Sequence, residues 1–358
     1  MANYLLKRLL LVLPTLFGIM LINFCIIQFA PGGPMEQAIA RMAGLGNMST
    51  TASVSTAGSM GPPPESAYSG ASGLDPEMLR RLEKQFGFDK PAHIRFLTMM
   101  GNYLTLDFGF SYFQDRAVVD LVIERLPVSM SLGLWSLLLI YTISIPLGIA
   151  KAVKDGQRFD IWTSVLIFTA YAIPGFLFAI ILIVFFAGGS YFDWFPLRGL
   201  ISDTFDDMTF MQQVRDYLWH LALPLTALTI GGFATLTMLT KNSFLEELNK
   251  QYVLTAHAKG LTEGRVLYGH IFRNAMLIII AGFPAAFVGI LFTGALLIEV
   301  IFSLEGIGKL GYDAIIKRDY PILFGTMFSF TLIGLIMQII GDMCYVLVDP
   351  RIDFETRE

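Results

Sequence analysis

The sequence is short of charge and of the residues that build chemical centres. Only 15% of its 358 residues are Asp, Glu, Lys or Arg, against 54% hydrophobic, which is too little polar surface for a solvated globule. A mean hydropathy of +0.62 says the same. Two cysteines, Cys25 and Cys344, both in apolar runs, exclude a disulfide framework. The histidines, His93, His220, His257 and His270, are scattered and lack the spacing of a metal site. Basic excess is missing too: 25 Lys and Arg stand against 29 Asp and Glu, which argues against a nucleic-acid binder. No paired carboxylates fall inside an apolar run. Gly70-Ala71-Ser72-Gly73 echoes a serine-protease motif, but it sits in a low-complexity stretch with no fixed base. Nothing reads as an enzyme.

What is present is apolar length. A bilayer core about 30 Å thick needs roughly 20 apolar residues as helix, and six segments carry no Asp, Glu, Lys or Arg: 9–30, 129–150, 161–187, 217–240, 275–298 and 322–341. The first exceeds a signal-peptide core and is followed by a poor cleavage site, so it reads as a retained helix. The fold class expected is an all-α polytopic membrane protein with six spans and an extended region after the first. With both termini inside, the inner pieces 1–8, 151–160, 241–274 and 342–358 hold 12 Lys and Arg in 69 residues, and the outer pieces hold 13 in 150. That bias follows the positive-inside rule. The weight falls on Lys7, Arg8, Lys151, Lys154, Arg158 and the loop 241–274; Lys309, Lys317 and Arg318 dissent.

The organisation expected is an N-terminal span (1–30), an outer region (31–128), a five-helix core (129–348) and an inner tail (349–358). Within the outer region, 24 of the 31 residues from 43 to 73 are Gly, Ala, Ser, Thr or Pro, too few large apolar groups to offset ordering entropy. After it, Asp75, Pro76 and Glu77 signal a helix start and Gly87 its end. Two more surface helices are expected over 92–105 and 118–125.

Gly306-Ile307-Gly308-Lys309-Leu310-Gly311 fits G-x-G-x-x-G, but no βαβ pattern surrounds it. Leu310 stands where a phosphate loop needs Ser or Thr, and Ser303 where it needs its first glycine. A glycine-rich turn is the plainer reading. Polar groups inside the spans need partners. For Asn23, Gln28 and Gln338, and for the flanking acids Glu299 and Asp342, two readings stay open: a hydrogen bond or boundary position within the bundle, or a place on a substrate pathway. Asn23, Gln28 and Gln338 are the pathway candidates; both acids are expected to be structural. Pro146, Pro174, Pro224 and Pro284 fall in or near spans and invite bends.

The loop 241–274 carries helical signals throughout. Ser243 and Glu246 fit a capping box, Phe244, Leu248 and Tyr252 recur at four-residue spacing, and Lys259-Gly260 reads as a basic last turn with a terminal glycine. Thr262 can cap a second helix through Arg265, His270 and Arg273. The first helix, 244–260, with small residues at its end, suits docking into a partner's groove; an interfacial helix lying on lipid is the alternative.

The run Tyr252-Val253-Leu254-Thr255-Ala256-His257-Ala258-Lys259-Gly260-Leu261 resembles the EAA loop of bacterial ABC importer permeases, in the dipeptide and oligopeptide version. Further stretches are similar to the B-type permease subunit: Lys7-Arg8-Leu9 through Pro34, Phe86 to Pro91, Leu106 to Gly109, Leu126 to Ser129, Ile298 to Ile301, Gly306 to Gly308, Arg318 to Pro321 and Val348 to Arg351. Phe195 to Leu200, the insertion 43–73 and the end Asp349 to Glu355 resemble the Yej-type branch, associated with peptide and microcin C uptake. His257 departs from the arginine usual there, and Leu254-Thr255-Ala256 from the Glu-Ala-Ala triplet, so docking contacts do not carry over in detail.

The resemblance implies a permease in the bacterial inner membrane that pairs with a second homologous permease, two ATPase domains or subunits and a periplasmic solute-binding protein. No cofactor is expected on this chain; ATP and Mg belong to the ATPase partners. It implies an ATPase-coupling loop at Phe244, Leu248, Tyr252, Leu254, Thr255, Ala256, His257, Ala258, Lys259 and Gly260. The rival readings are a permease for another solute class, such as nickel or sugar, an ion-coupled secondary transporter, or a membrane-anchored assembly protein.

Overall fold

The computed structural model describes residues 2–28, 89–189, 191–289 and 295–348. The low-complexity stretch 43–73, the helix expected near 75–87 and the tail 349–358 lie outside them. The described chain is helical: α1 (Ala2–Gln28), α2 (Ala92–Leu104), α3 (Val118–Val153), α4 (Arg158–Tyr171), α5 (Gly175–Phe186), α6 (Phe210–Leu248), α7 (Gln251–Ala258), α8 (Glu263–Gly289), α9 (Ala295–Ile301), α10 (Ile307–Lys317) and α11 (Tyr320–Val348). Among the described residues there is no strand beyond an isolated bridge between Phe110 and Ala117. Among the described residues five helices are long and apolar enough to span a bilayer, or six if the bent pair α4 and α5 counts as one span.

The segment 161–187, expected as one span, forms two apolar helices, α4 and α5, bent by 91° to one another, and is the sixth span if the pair crosses as one. Pro174 takes the cap position of α5 at φ −56°, ψ 133°. Its ring removes a backbone donor and pushes Ile173 off helical geometry. Pro14, Pro127, Pro146, Pro224 and Pro284 all lie inside continuous helices.

The helix expected to begin at Ser243 does not start there. α6 runs unbroken to Leu248, because Ser243 Oγ donates to the Ala275 carbonyl (2.7 Å) in place of a cap. The break comes at Asn249–Lys250, where Lys250 turns extended at ψ 150°. Thr262 stands at the cap position of α8, its carbonyl accepting from Val266 N, but its hydroxyl makes no capping hydrogen bond. Residues Leu267–Ile271 of α8 form a π turn.

The chain divides into two compact units. One comprises Met1–Val12, Arg125–Lys309 and Phe330–Glu358. It has one apolar core around Ile149, Ala152, Phe244, Val253, Ala256 and Ile271, and another around Leu132, Ala179, Leu182, Leu221 and Phe302. α3 and α6 cross so closely that a Cβ on Gly148 would lie 2.5 Å from Thr240 Cβ; only glycine fits there. The other unit comprises Leu13–Glu124 and Leu310–Ser329. Phe96, Met100 and Tyr103 of α2 are buried. Phe96 packs edge-on against Phe17, and Tyr103 against Phe108 and Phe328. Asp319 is buried and accepts from Ser111 Oγ and Tyr112 N, so its carboxyl oxygens are hydrogen-bonded as burial requires.

Candidate functional site

α7 has two unlike faces. Val253 and Ala256 are buried in the core they share with α3, α6 and α8, while Gln251, Leu254, Thr255, His257, Ala258 and Lys259 are exposed. Leu254 is 61% exposed, a large apolar group left without cover on an otherwise polar face. Phe244 is fully buried in α6, and Leu248 and Tyr252 are half-buried against the same core, so of the loop residues proposed from sequence these three and Ala256 face their own bundle.

The junction ahead of α7 is pinned by Glu247. Its carboxylate accepts from Lys250 Nζ (2.6 Å) and from the Tyr252 hydroxyl (2.6 Å). Burial and that neighbouring carboxylate push the Tyr252 phenol up, which keeps it a neutral donor. The far end of α7 closes as a Schellman motif: Gly260 N donates to His257 O (2.9 Å) and Leu261 N to Ala256 O (3.3 Å). Gly260 stands at φ +80°, left-handed backbone that costs an L side chain roughly 1–2 kcal/mol. α7 is therefore clamped at both ends and seated on the bundle by its middle.

A cavity of about 610 Å³ lies between α8 and α11, lined by Ala281, Gly282, Ala285, Gly334, Gln338 and Gly341 among others. Pro284 packs over Gly341 at its wall. A second, of about 540 Å³, shares Gly282 as a wall residue and is lined by Tyr141, Tyr171, Gly231, Thr235 and Ala286. These walls are small or apolar, with scattered hydroxyl and amide groups, suited to loose contact with varied solutes. Asp342 at the end of the first cavity is held by Arg8 (3.2 Å) and the Tyr4 hydroxyl (3.1 Å). Of the pathway candidates, Gln338 lines that cavity. Asn23 Nδ2 donates to Ile19 O of its own helix (2.9 Å), and the Gln28 side chain lies outside the described residues.

Glu299 is fully buried and held by a glycine turn. Its carboxylate accepts from Ser129 Oγ (2.6 Å) and Lys309 N (2.8 Å), while Ser129 Oγ accepts from Ile307 N (2.9 Å). A Cβ on Gly306 would fall 2.3 Å from the Glu299 carboxyl carbon. The G-x-G pattern thus does cradle a carboxyl group, and that group is the chain's own. Arg125 and Lys309 clamp Glu305 alongside.

A family model described as binding-protein-dependent transport system inner membrane component matches residues 144–354. The chain is 58% identical to the peptidoglycan transport system permease protein YejB of Agrobacterium fabrum, over 100% of both chains. It is 57% identical to the inner membrane ABC transporter permease protein YejB of Escherichia coli, again over 100% of both. The oligopeptide transport system permease protein AppB of Bacillus subtilis is 31% identical, over 99% of this chain and 100% of that one. Among solved structures, the MetNI methionine ABC transporter in inward-facing conformations matches with a TM-score of 0.50 at 15% identity, over 64% of this chain and 96% of that one. At that identity the likeness concerns the fold.

Proposed function

The chain belongs to the family of binding-protein-dependent transport system inner membrane components, and from that membership we propose that it is the permease subunit of an ATP-driven importer of peptides or peptide-like compounds. It works as half of a transmembrane pathway, beside a second permease, two ATPase subunits and a solute-binding protein on the outer side. Both termini face the cytoplasm. The relatives named for oligopeptides and peptidoglycan support peptides, including peptidoglycan-derived ones, as the substrate class; the resemblance to the Yej-type branch adds microcin C.

The observation that carries the reading is α7: a short helix with its inner face in the bundle core and an exposed apolar tooth, Leu254. Rigid attachment through Val253 and Ala256 lets a push on that face move α3, α6 and α8 together, since packed cores shift as blocks. Nucleotide and Mg stay with the ATPase partners, and this chain receives the displacement. The cavities beside α8 then form this subunit's share of the pathway. Apart from Asp342, which Arg8 and Tyr4 hold at one end, their walls are uncharged, as suits a carrier whose selectivity resides in the separate binding protein. An ion-coupled carrier would expect unpaired titratable groups facing a pathway, whereas Asp342 at the cavity's end is ion-paired with Arg8, and the buried Lys151, Asp160, Lys241 and Glu299 are each paired or hydrogen-bonded.

Leu254→Glu tests this docking face. The side chain is exposed, so insertion and folding should persist, while a charge placed in an apolar contact is expected to cut co-purification of the ATPase subunits at least about tenfold. Undiminished association would remove α7 as the docking element.

A further inference from the structure

We propose that Asp160 is a positioning residue that makes α4 part of the block driven by α7, leaving the elbow at Ala172–Pro174 to absorb the motion. This rests on the permease reading above, because it concerns how the push on α7 is distributed.

The first observation is the way α4 is held. Asp160 is the buried side chain of this helix. Phe159, Ile161, Trp162, Val165, Leu166 and Phe168 are all at least 38% exposed. α4 therefore has little apolar attachment of its own within this chain. It is fastened by charge: Asp160 Oδ1 lies 2.9 Å from Lys151 Nζ on α3, and Oδ2 lies 2.7 Å from Lys241 Nζ on α6. Gly156 N donates to the same carboxylate (3.2 Å). Lys151 Nζ also donates to Asp160 O (2.9 Å), Thr163 Oγ1 (2.9 Å) and Ser164 Oγ (2.7 Å). Asp155, half-exposed, takes the other side of Lys241 at 2.7 Å. Lys151 is completely buried, so its charge depends on these partners.

The second observation is where the two anchoring helices belong. Ile149 and Ala152, beside Lys151, and Phe244, beside Lys241, pack in the same core as Val253 and Ala256 of α7. α3 and α6 also touch at Gly148 and Thr240, a few residues from the cluster. The carboxylate thus ties α4 to the part of the bundle that bears α7. α5 is seated elsewhere: Ala179 and Leu182 lie in the other core, with Leu132, Leu221 and Phe302. The 91° bend between α4 and α5 is therefore where the third span passes from one core to the other. α3 and α6 run through both cores, with Leu132 and Leu221 in the second, so the bend at Pro174 is where α4 can stay with the α7 end of the bundle while α5 follows the second core.

The test uses the complete transporter in vesicles, with two readouts. Peptide imported per ATP hydrolysed is compared for the native chain, Asp160→Asn and Asp160→Glu. Removing one partner of a buried charge set costs several kcal/mol, so Asp160→Asn is expected to lower that ratio at least about tenfold. ATPase association and hydrolysis should stay near native, and Asp160→Glu, which restores the charge, should recover much of the ratio. An unchanged ratio in Asp160→Asn, or no recovery in Asp160→Glu, overturns the proposal.

The second readout keeps the native cluster, and so does not depend on a variant folding. Spin labels at Trp162→Cys and Tyr268→Cys, both exposed positions, are placed in a chain with Cys25 and Cys344 replaced. Their separation is expected to be the same in nucleotide-free and ATP-trapped transporter; a separation that changes with nucleotide overturns the proposal. Native chain that shows no ATP-dependent import would instead remove the permease reading itself.

Discussion

Gly260→Pro is expected to abolish peptide uptake while leaving the chain in the membrane. Three costs coincide at this position. Proline holds φ near −65°, whereas Gly260 stands at +80°. Proline also lacks the N–H that Gly260 donates to His257 O. Its ring disfavours helical geometry at Lys259, which sits at φ −80°, ψ 1° as the cap of α7. Together these open the last turn of α7 and carry Leu261 away from Ala256 O. The helix would still be tethered by Val253, but the exposed residues from Leu254 to Lys259 would no longer form one surface. Gly260→Ala and Gly260→Asn make a graded control. The space around Gly260 is open, so alanine meets only the backbone cost, roughly 1–2 kcal/mol, and asparagine, which tolerates left-handed backbone better, less. The expected order of uptake is Gly, Asn, Ala, Pro, with comparable membrane levels throughout. Native uptake by Gly260→Pro would mean that the shape of this turn does not matter to transport.

A large effect on folding is expected from Gly306→Ala. The added methyl would enter the Glu299 carboxylate, at 2.3 Å from its carbon and Oε1. The flexible end of a glutamate could normally step aside, but Glu299 is fully buried. Moving it strands the Ser129 hydroxyl and the Lys309 N–H as well as the charge. Leaving buried hydrogen-bonding groups unsatisfied costs about 1–3 kcal/mol each, together a large part of a typical stability margin. Gly306→Ala should therefore lower the yield of monodisperse detergent-solubilised chain and its thermal midpoint sharply. Adding Glu299→Ala removes both the clash and the stranded charge, so the double variant is expected to be more stable than Gly306→Ala alone. Strict additivity of the two single effects would show that residues 299 and 306 are not coupled.

These two glycines mark what could be read from residues alone. Gly260 follows a basic turn and precedes a capping threonine, so local chemistry suffices to identify it. Gly306 was legible only as a turn; its real partner, Glu299, and the bridging Ser129 are brought together by the fold. The uncharged runs locate the spans, because hydropathy is a local property, but the run 161–187 contains no charge to betray the elbow at Pro174. Ser243 looked like a cap because it is followed by Glu246 at the right spacing. It is a helix-interior residue because α8 offers it the Ala275 carbonyl. Lys151 and Lys241 read as loop charges that set orientation, yet they are buried partners of Asp160. Periodicity cannot distinguish a lysine in water from one matched to a carboxylate 9 or 81 residues away. The orientation argument then rests on Lys7, Arg8, Lys154, Arg158 and the basic residues of the loop after Lys241.

The most direct measurement is peptide accumulation in sealed vesicles, comparing this chain alone with the chain reconstituted beside its second permease, ATPase subunits and binding protein. Accumulation should require the full assembly and hydrolysable ATP, and the isolated chain should give none. Uptake at full rate by the isolated chain without nucleotide would contradict the account.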